Sequence, residues 1–135
     1  MKTLPIDADE LFTKVSAYDV VDENTGEVLT VAGRDESNAA VPVPEVFTAA
    51  GAWRALSDAV LEQPYYPRMF VAPNGRVFNA GPARATRYLD TRGTGQWTFV
   101  ANMNRSYRDY GSAVMYQPGK VMTAGGGGAD SNSAP

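Results

Sequence analysis

The chain has 135 residues, of which 44% are hydrophobic, and carries a formal net charge of −3. This length holds one domain with a single core, and the acidic balance argues against a nucleic-acid partner, which favours a concentrated basic face. The sequence contains no Cys and no His, which excludes disulfides, thiolate metal ligands and imidazole ligands or bases from these 135 residues. No stretch approaches the roughly 20 apolar residues that span a bilayer, so we expect no membrane partner.

The first 20 residues are predicted to form a lead-in to the domain. Leu11, Phe12 and Val15 have helix-like spacing behind Asp7 or Asp9 as a candidate N-cap, so a short helix and an irregular segment both remain open. The opening stretch "MKTLPIDADELF" has acids where a signal peptide has its apolar run, so we expect no export signal here and leave the compartment unknown.

Three later segments share one pattern, which is a Tyr, an apolar strand, a polar turn ending in Gly, a second apolar strand and then Ala-Gly. They read "YDVVDENTGEVLTVAG" (18–33), "YYPRMFVAPNGRVFNAG" (65–81) and "YGSAVMYQPGKVMTAGG" (110–126). The turn glycines Gly26, Gly75 and Gly119 are 49 and 44 residues apart. Because hairpin turns need a positive φ, these glycines predict three β-hairpins.

A further pair of strands follows each of the first two hairpins, in "PEVFTAAGAWRALS" (44–57) and "TRYLDTRGTGQWTFVA" (86–101). Their tryptophans, Trp53 and Trp97, are 44 residues apart, and we expect both to fill the space between packed sheets. A repeat of four short strands with this period is typical of kelch-type β-propeller blades. The predicted fold is therefore all-β, a kelch-type propeller segment of four-stranded antiparallel blades in an incomplete ring, with a plain β-sandwich as the alternative.

The repeat predicts blades over about residues 21–60, 61–103 and, in part, 104–128, followed by a mobile Gly/Ser-rich tail over 129–135. A repeat unit does not bury its apolar face alone. We therefore expect the blades either to belong to a longer chain or to assemble with copies of the same chain and complete the ring.

With these residues in view, the chain resembles the galactose oxidase and glyoxal oxidase family, and most closely its bacterial kelch-containing members. The motifs are "YYPRMFVAPNGRVFNAGP", "ATRYLDTRGTGQWTFVA" and "YRDYGSAVMYQPGKVMTAGGG", within a similarity that runs from about residue 26 to 128 and spans about two and a half blades. The resemblance implies a seven-bladed propeller in full-length relatives, which are often secreted. They hold one copper on tyrosines and histidines, with one tyrosine cross-linked to a cysteine as a radical site. The relatives oxidise a primary alcohol or aldehyde and reduce oxygen to hydrogen peroxide.

This sequence departs from that family pattern at the copper site. It has no His for the copper and no Cys for the cross-link. Tyr18 falls near the radical-tyrosine position, but it stands eight residues before its turn glycine, whereas Tyr66 and Tyr110 stand nine before theirs. The resemblance thus implies copper in full-length relatives, while for this chain we expect no cofactor, no metal-ligating or catalytic residue, and no oxidase activity by itself.

A candidate pocket wall is predicted from polar and aromatic residues around the starts of the second and third hairpins. The reasoning is that Tyr66 and Tyr110 begin the innermost strands of their blades, whose ends converge at the mouth of a propeller channel. Tyr, Arg and Asp side chains suit a carbohydrate, because rings stack on it and charged groups hydrogen-bond its hydroxyls. The predicted residues are Tyr65, Tyr66, Arg68, Arg108, Asp109 and Tyr110.

Two alternatives to this interpretation remain. Both tyrosines can be core residues, with Arg68 and Arg108 paired to acids such as Asp109. In function, the alternative to an oxidase scaffold is a kelch module without redox chemistry that binds a carbohydrate or a protein partner.

Overall fold

The computed structural model describes residues 18–127, and this part of the chain is all-β, with twelve strands and no helix. Among these residues no helix is long and apolar enough to cross a membrane. The predicted tail lies outside the described residues, as does the predicted lead-in apart from residues 18–20, which begin the first strand. The strands are β1 (Tyr18–Asp22), β2 (Glu27–Val31), β3 (Gly33–Arg34), β4 (Ala40–Val41), β5 (Glu45–Phe47), β6 (Trp53–Ala55), β7 (Met69–Val71), β8 (Val77–Asn79), β9 (Ala83–Asp90), β10 (Gln96–Tyr107), β11 (Ser112–Gln117) and β12 (Lys120–Ala124).

The strands form two four-stranded antiparallel sheets and two separate hairpins. The first sheet has the order β1-β2-β5-β6, and the second has the order β10-β9-β8-β7. The third hairpin is β11-β12, and β3-β4 is a small hairpin of two-residue strands. The predicted all-β fold with open, four-stranded antiparallel sheets is confirmed.

The predicted hairpin turns have the backbone conformation that their glycines allow. Gly26, Gly75 and Gly119 have φ values of 75°, 77° and 72°, in the left-handed region that favours glycine. Each turn joins strands in antiparallel register, with Val20 opposite Leu29 in the first hairpin and Val114 opposite Met122 in the third. The three hairpins inferred from sequence are therefore present.

The hydrophobic core lies where the first and second sheets meet. Leu29 and Val46 come from the first sheet, Val77 and Leu89 from the second, and fully buried Leu56 from the segment between them. The core packs the two sheets together because each is apolar on the face that it turns to the other. β1 also contacts β7, so the first strands of the two sheets lie side by side.

The two tryptophans differ in their packing. Trp97 packs against the core, and its Nε1 donates a hydrogen bond of 2.9 Å to the carbonyl oxygen of Ala59. Trp53 is 37% exposed and lies on the short edge strand β6, with its ring 5.1 Å from that of Phe47. Both tryptophans lie on edge strands, β6 and β10, but Trp97 packs against the core whereas Trp53 stays partly exposed, so the expectation that both fill the space between sheets is wrong for Trp53.

The turn between β9 and β10 of the second sheet is hydrogen-bonded to strand β6 of the first sheet and to the residues that follow β6. Arg54 Nη1 donates hydrogen bonds to the carbonyl oxygens of Thr91 and Gly93, at 2.9 and 2.5 Å. Asp58 and Thr94 are linked twice, by a backbone bond of 2.9 Å and by a side-chain bond of 2.6 Å. These contacts hold the two sheets together at the end of the molecule away from the hairpin starts.

Candidate functional site

The tyrosines that open the three repeats lie next to one another in the structure. Tyr18 is the first residue of β1, Tyr66 precedes β7 by three residues, and Tyr110 precedes β11 by two. The Tyr18 and Tyr66 ring centroids are 5.3 Å apart, and those of Tyr66 and Tyr110 are 6.3 Å apart. Tyr65 extends the row, with its ring 6.4 Å from that of Tyr66. We call Tyr18, Tyr65, Tyr66 and Tyr110 the tyrosine cluster.

Two members of the tyrosine cluster have unusual backbones. Tyr66 and Tyr110 have φ values of 58° and 54°, in the left-handed region where a side chain costs about 1–2 kcal/mol. They therefore lie in the loops that lead into β7 and β11, and the expectation that they begin those strands is wrong in detail. Tyr66 is 54% and Tyr110 is 86% exposed, so neither ring is a core residue.

A guanidinium flanks the tyrosine cluster. The Cζ atom of Arg34 lies 4.8 Å from the centroid of the Tyr65 ring, and its Nε donates a 3.1 Å hydrogen bond to the Tyr65 hydroxyl. Sequence reasoning did not include Arg34 in the pocket wall. A signal was available, because Arg34 comes soon after β2, whose last residue Val31 pairs with Tyr18 at the start of β1.

The small hairpin β3-β4 holds Arg34 in place. Its loop is closed by the carboxylate of Asp35, which accepts hydrogen bonds from Ser37 Oγ at 2.7 Å and from the amide of Ala39 at 2.9 Å. The Ser37 side-chain bond, followed by the backbone bonds, holds the pKa of Asp35 below its usual value. Arg34, whose guanidinium contacts the tyrosine cluster, therefore lies next to a loop that these hydrogen bonds hold in one conformation.

Arg68 and Arg108 bind backbone oxygens. Arg68 Nη2 donates to the carbonyl oxygens of Arg108 and Gly111, at 2.6 and 2.7 Å. Arg108 Nη1 donates to the carbonyl oxygen of Gly125 at 2.7 Å. Over the described residues neither guanidinium forms an ion pair with Asp109, so the alternative that both pair with acids is wrong. Burial lowers the pKa of Arg68, and the nearby Asp109 charge opposes that effect.

The loop that carries Tyr110 is fixed by the end of the third hairpin. Asp109 pairs with Gly127 through two backbone hydrogen bonds of 3.0 and 3.2 Å. A Cβ at Gly126 would lie 2.6 Å from the carbonyl oxygen of Asp109, so only glycine fits there. The structure therefore brings the six predicted residues to one end of the molecule, with Arg68 and Arg108 supporting the loop beneath exposed Tyr110.

The tyrosine cluster does not fit a copper centre of the kind that the resemblance implies. Within residues 18–127 no group of three or more His, Cys, Asp or Glu side chains is placed to hold a metal ion. Burial raises the pKa of Tyr18, and a hydrogen bond with the Tyr66 backbone opposes this effect only in part. A raised pKa favours the neutral phenol, whereas a metal ligand is the phenolate. The cluster instead offers aromatic faces, phenol hydroxyls and a guanidinium.

A separate open groove runs along the first strands of the three hairpins. It has a volume of about 780 Å³ and is lined by β1, β7 and β11 side chains such as Val21, Phe70 and Tyr116. Its remaining walls come from the hairpin turns, including Pro73 and Pro118. None of the six predicted residues lines this groove, so the groove and the tyrosine cluster are different sites.

The fold is similar to that of a copper enzyme of known structure. A fungal alcohol oxidase of the AA5 family, solved in complex with copper, matches with a TM-score of 0.70 at 23% sequence identity. The match covers 84% of this chain and 26% of the oxidase chain, so this chain spans about a quarter of that protein. At this level of identity the likeness shows a shared fold.

No family model matches the chain, and the chain shares a short stretch of sequence with proteins of another kind. Over 29 residues the chain is 86% identical to the DNA-directed RNA polymerase subunit beta of Myxococcus xanthus (strain DK1622). The corresponding identity to the same subunit of Anaeromyxobacter sp. (strain Fw109-5) is 69%. This stretch is 22% of the chain and 2% of either subunit, too small a part to carry a functional conclusion. The polymerase match covers 22% of the chain and the oxidase match covers 84%. Since the two shares add up to more than the whole chain, the two matched regions overlap.

Proposed function

We propose that the chain is a segment of the kelch-type propeller scaffold of a galactose oxidase-like protein. The observation that carries the proposal is the fold match to the AA5 alcohol oxidase, with a TM-score of 0.70 over 84% of the chain. The repeated hairpins support it, because each opens with a tyrosine and turns on a glycine in the way a blade repeat requires. In such a protein these blades supply scaffold, and the tyrosine cluster contributes to the wall of a substrate pocket.

We further propose that this chain binds no catalytic copper by itself and has no oxidase activity alone. The sequence has neither the His nor the Cys that the resemblance requires. Tyr18, which stands near the radical-tyrosine position, has a pKa raised by burial. Oxidation of an alcohol is therefore proposed only for a longer protein that adds the missing ligands.

Copper titration tests this proposal. Cu(II) is added to the purified chain and followed by electron paramagnetic resonance, while an oxygen electrode records uptake with a primary alcohol and an aldehyde. We expect weak, unsaturable copper binding and no oxygen uptake. A nanomolar site that is lost in Tyr18→Phe and retained in Tyr116→Phe, a matched change outside the cluster, would contradict the proposal.

The second candidate function is carbohydrate binding without redox chemistry. It is favoured by Tyr66 and Tyr110, whose backbones are held at positive φ although their side chains are exposed. Burial of the rings therefore does not offset the backbone strain. Strained residues of this kind concentrate at functional sites. Sugar rings stack on aromatic faces, and their hydroxyls accept hydrogen bonds from a guanidinium such as that of Arg34.

Sugar binding is tested by titrating monosaccharides and disaccharides into the chain and measuring chemical-shift changes. We expect binding to weaken at least tenfold, equivalent to about 1.4 kcal/mol, in Tyr110→Ala. Tyr116→Ala is the control, because Tyr116 is also an exposed tyrosine but lies outside the cluster. No shift change at millimolar sugar, or equal weakening in both variants, would eliminate this candidate.

A further inference from the structure

Charge is divided unevenly between the repeats. Residues 18–63, which contain the first sheet, carry nine carboxylates and two arginines, whereas residues 64–127 carry seven arginines and one lysine against two carboxylates. The formal charges of the two stretches are therefore −7 and +6, although the net charge of the whole chain is only −3. Because the field near a surface depends on the charges closest to it, the second stretch attracts anions despite the acidic balance of the chain.

Four of the seven arginines in the cationic stretch are used within the fold. Arg68 and Arg108 hold the loop before β11 through backbone carbonyl oxygens. Arg76 lies over an aromatic ring at 4.8 Å, and Arg92 forms an ion pair in the β9–β10 turn. The remaining three lie on β9 and β10, and none of them forms an ion pair with a residue that the structure describes: Arg84, Arg87 and Arg105.

A wide bulge interrupts β10 beside two of these three arginines. Between Asn102 and Tyr107 the strand β10 advances five residues, while the stretch of β9 paired with it advances only two. Arg84 is the β9 residue opposite the bulge, and Arg105 lies within the bulge. A β-bulge changes the direction of the side chains that it carries, and bulges are frequent beside functional sites.

Hydrogen bonds hold the bulge at both ends. Arg84 Nε donates a bond of 3.0 Å to the carbonyl oxygen of Met103, and the Met103 sulfur accepts one of 3.9 Å from Thr123 Oγ1. At the other end the Arg108 amide donates a bond of 3.0 Å to the carbonyl oxygen of Pro82. Within residues 18–127 the two terminal nitrogens of Arg84 make no hydrogen bond, and such a pair can bind a carboxylate through two parallel bonds.

The exposed side chains of the bulge are polar, and none of them is acidic. Asn102, Asn104 and Arg105 are exposed, as is Arg84 opposite them. The carboxylate nearest in sequence is that of Asp109, which accepts a hydrogen bond of 3.1 Å from the next backbone amide. Guanidinium groups bind carboxylates, and side-chain amides both donate hydrogen bonds to hydroxyls and accept them. The bulge therefore suits a ligand that carries a carboxylate beside hydroxyl groups.

We propose that the β10 bulge binds the carboxylate of an acidic sugar, as found in a uronate residue of a polysaccharide. In this site the guanidinium groups of Arg84 and Arg105 bind the carboxylate, and the amides of Asn102 and Asn104 bind the neighbouring hydroxyls. The site shares no residue with the tyrosine cluster, so the outcome of the copper titration or of the neutral-sugar titration at Tyr110 does not decide it.

Two other classes of anionic partner fit the bulge less well. An acidic peptide adds to a sheet edge through regular backbone pairing, and the register shift in β10 interrupts that pairing at the arginines. A nucleic acid carries closely spaced charges over a long distance, and the −7 charge of residues 18–63 repels it. A sugar carboxylate needs only one short cationic stretch.

Titration with a trimer of galacturonate tests the ligand class. Its fully methyl-esterified form is the matched control, because it has the same rings and hydroxyls but no charge. Binding is followed by the chemical shifts of the backbone amides in the intact chain. We expect the acid to bind at least tenfold more tightly than the ester, to shift the amides of residue 84 and residues 102–107 most, and to bind more weakly as salt is added.

Substitution of single arginines tests the site. We expect Arg105→Gln and Arg84→Met each to weaken binding of the acid at least tenfold. Arg105→Gln is the cleaner change, because Arg105 makes no hydrogen bond to another described residue and its loss leaves the bulge intact. Arg92→Gln is the matched control, since its side chain is 88% exposed on the turn at the opposite end of β9. This variant should bind as wild type does.

Four results would overturn the proposal. They are the absence of binding at millimolar acid, equal binding of the acid and the ester, equal weakening in Arg105→Gln and Arg92→Gln, and displacement of the acid by polyglutamate or a single-stranded oligonucleotide at equal charge concentration. The last result would show that the cationic stretch binds anions in general and does not select a sugar.

Discussion

At the scale of single residues, one glycine sets the distance between the second sheet and the chain segment that follows β6 of the first sheet. Gly95 has a φ of 78°, and a Cβ built there would lie 2.7 Å from the Leu56 Cβ and 3.0 Å from the Ala59 Cβ. Leu56 and Ala59 are almost completely buried, so neither can move aside without disturbing the core. The β9–β10 turn therefore packs directly onto the core through its backbone.

Gly95→Ala is expected to destabilise the chain by about 2–4 kcal/mol, because backbone strain and overpacking add together. Gly93→Ala is a matched control in the same turn. Gly93 also has a positive φ, of 57°, but a Cβ there would have no atom within 4 Å other than those of the two adjacent residues. The control should cost about 1 kcal/mol from backbone strain alone. Urea denaturation of the two variants measures the difference, and equal losses of stability would show that the turn does not pack on Leu56 as described.

Sequence alone identified some of these residues and missed the role of others. Gly26 and Gly75 were identifiable because a hairpin turn has a local pattern, and their φ values agree. Gly95 also reads as a turn glycine, but its contact with Leu56 joins positions 39 residues apart and has no local signal. Arg68 was predicted in a pocket wall, with pairing to a carboxylate as the alternative. It instead binds carbonyl oxygens, which every residue carries and no side-chain pattern reveals.

At the scale of elements, Arg68 connects the second sheet to the third hairpin. Its own backbone is fixed by hydrogen bonds to Gly81 and Ala80, at 2.9 and 2.8 Å. Its side chain reaches the carbonyl oxygens of Arg108 and Gly111 in the loop before β11. Because that loop also carries Tyr110, Arg68 links the packing of the hairpin to the geometry of the tyrosine cluster.

Arg68→Met should keep the aliphatic stem and remove both hydrogen bonds, at a cost of roughly 2–4 kcal/mol, since bonds to a charged donor contribute more than neutral ones. We expect hydrogen exchange to accelerate in β11 and β12 more than in β2. Arg84→Met is the control, because exposed Arg84 makes one bond of 3.0 Å to the Met103 carbonyl oxygen, and its loss should cost under about 1 kcal/mol. Uniform acceleration across all strands would contradict the assigned role of Arg68.

The four-strand units were largely predictable as elements, because alternating apolar residues and glycine turns mark both hairpins of each unit. The small hairpin β3-β4 was not predicted, since strands of two residues carry too little pattern. Trp53 and Trp97 were both expected between sheets because they recur at the repeat period, but a repeat in sequence does not give equal burial: Trp97 packs against the core between the two sheets, whereas Trp53 stays partly exposed.

At the scale of the whole molecule, the tyrosine cluster is a consequence of how the repeats stack. Packing of Leu29 and Val46 against Val77 and Leu89 sets the first strands of the two sheets side by side, with β1 in contact with β7. Tyr18 and Tyr66, 48 residues apart in sequence, thereby come into contact. The period of the repeat predicted that these two tyrosines occupy equivalent positions. The distance between their rings depends on how the sheets pack, and the sequence pattern does not contain that information.

The central claim is that three sequence repeats stack so that their opening tyrosines form one cluster. The most direct test is a nuclear Overhauser measurement between tyrosine ring protons in the native chain, with assignments from Tyr18→Phe, Tyr66→Leu and Tyr110→Leu. We expect cross-peaks between Tyr18 and Tyr66, whose rings are 5.3 Å apart, and weaker ones between Tyr66 and Tyr110, at 6.3 Å. A folded chain without any cross-peak between Tyr18 and Tyr66 would contradict the stacking of the repeats and the site that is built on it.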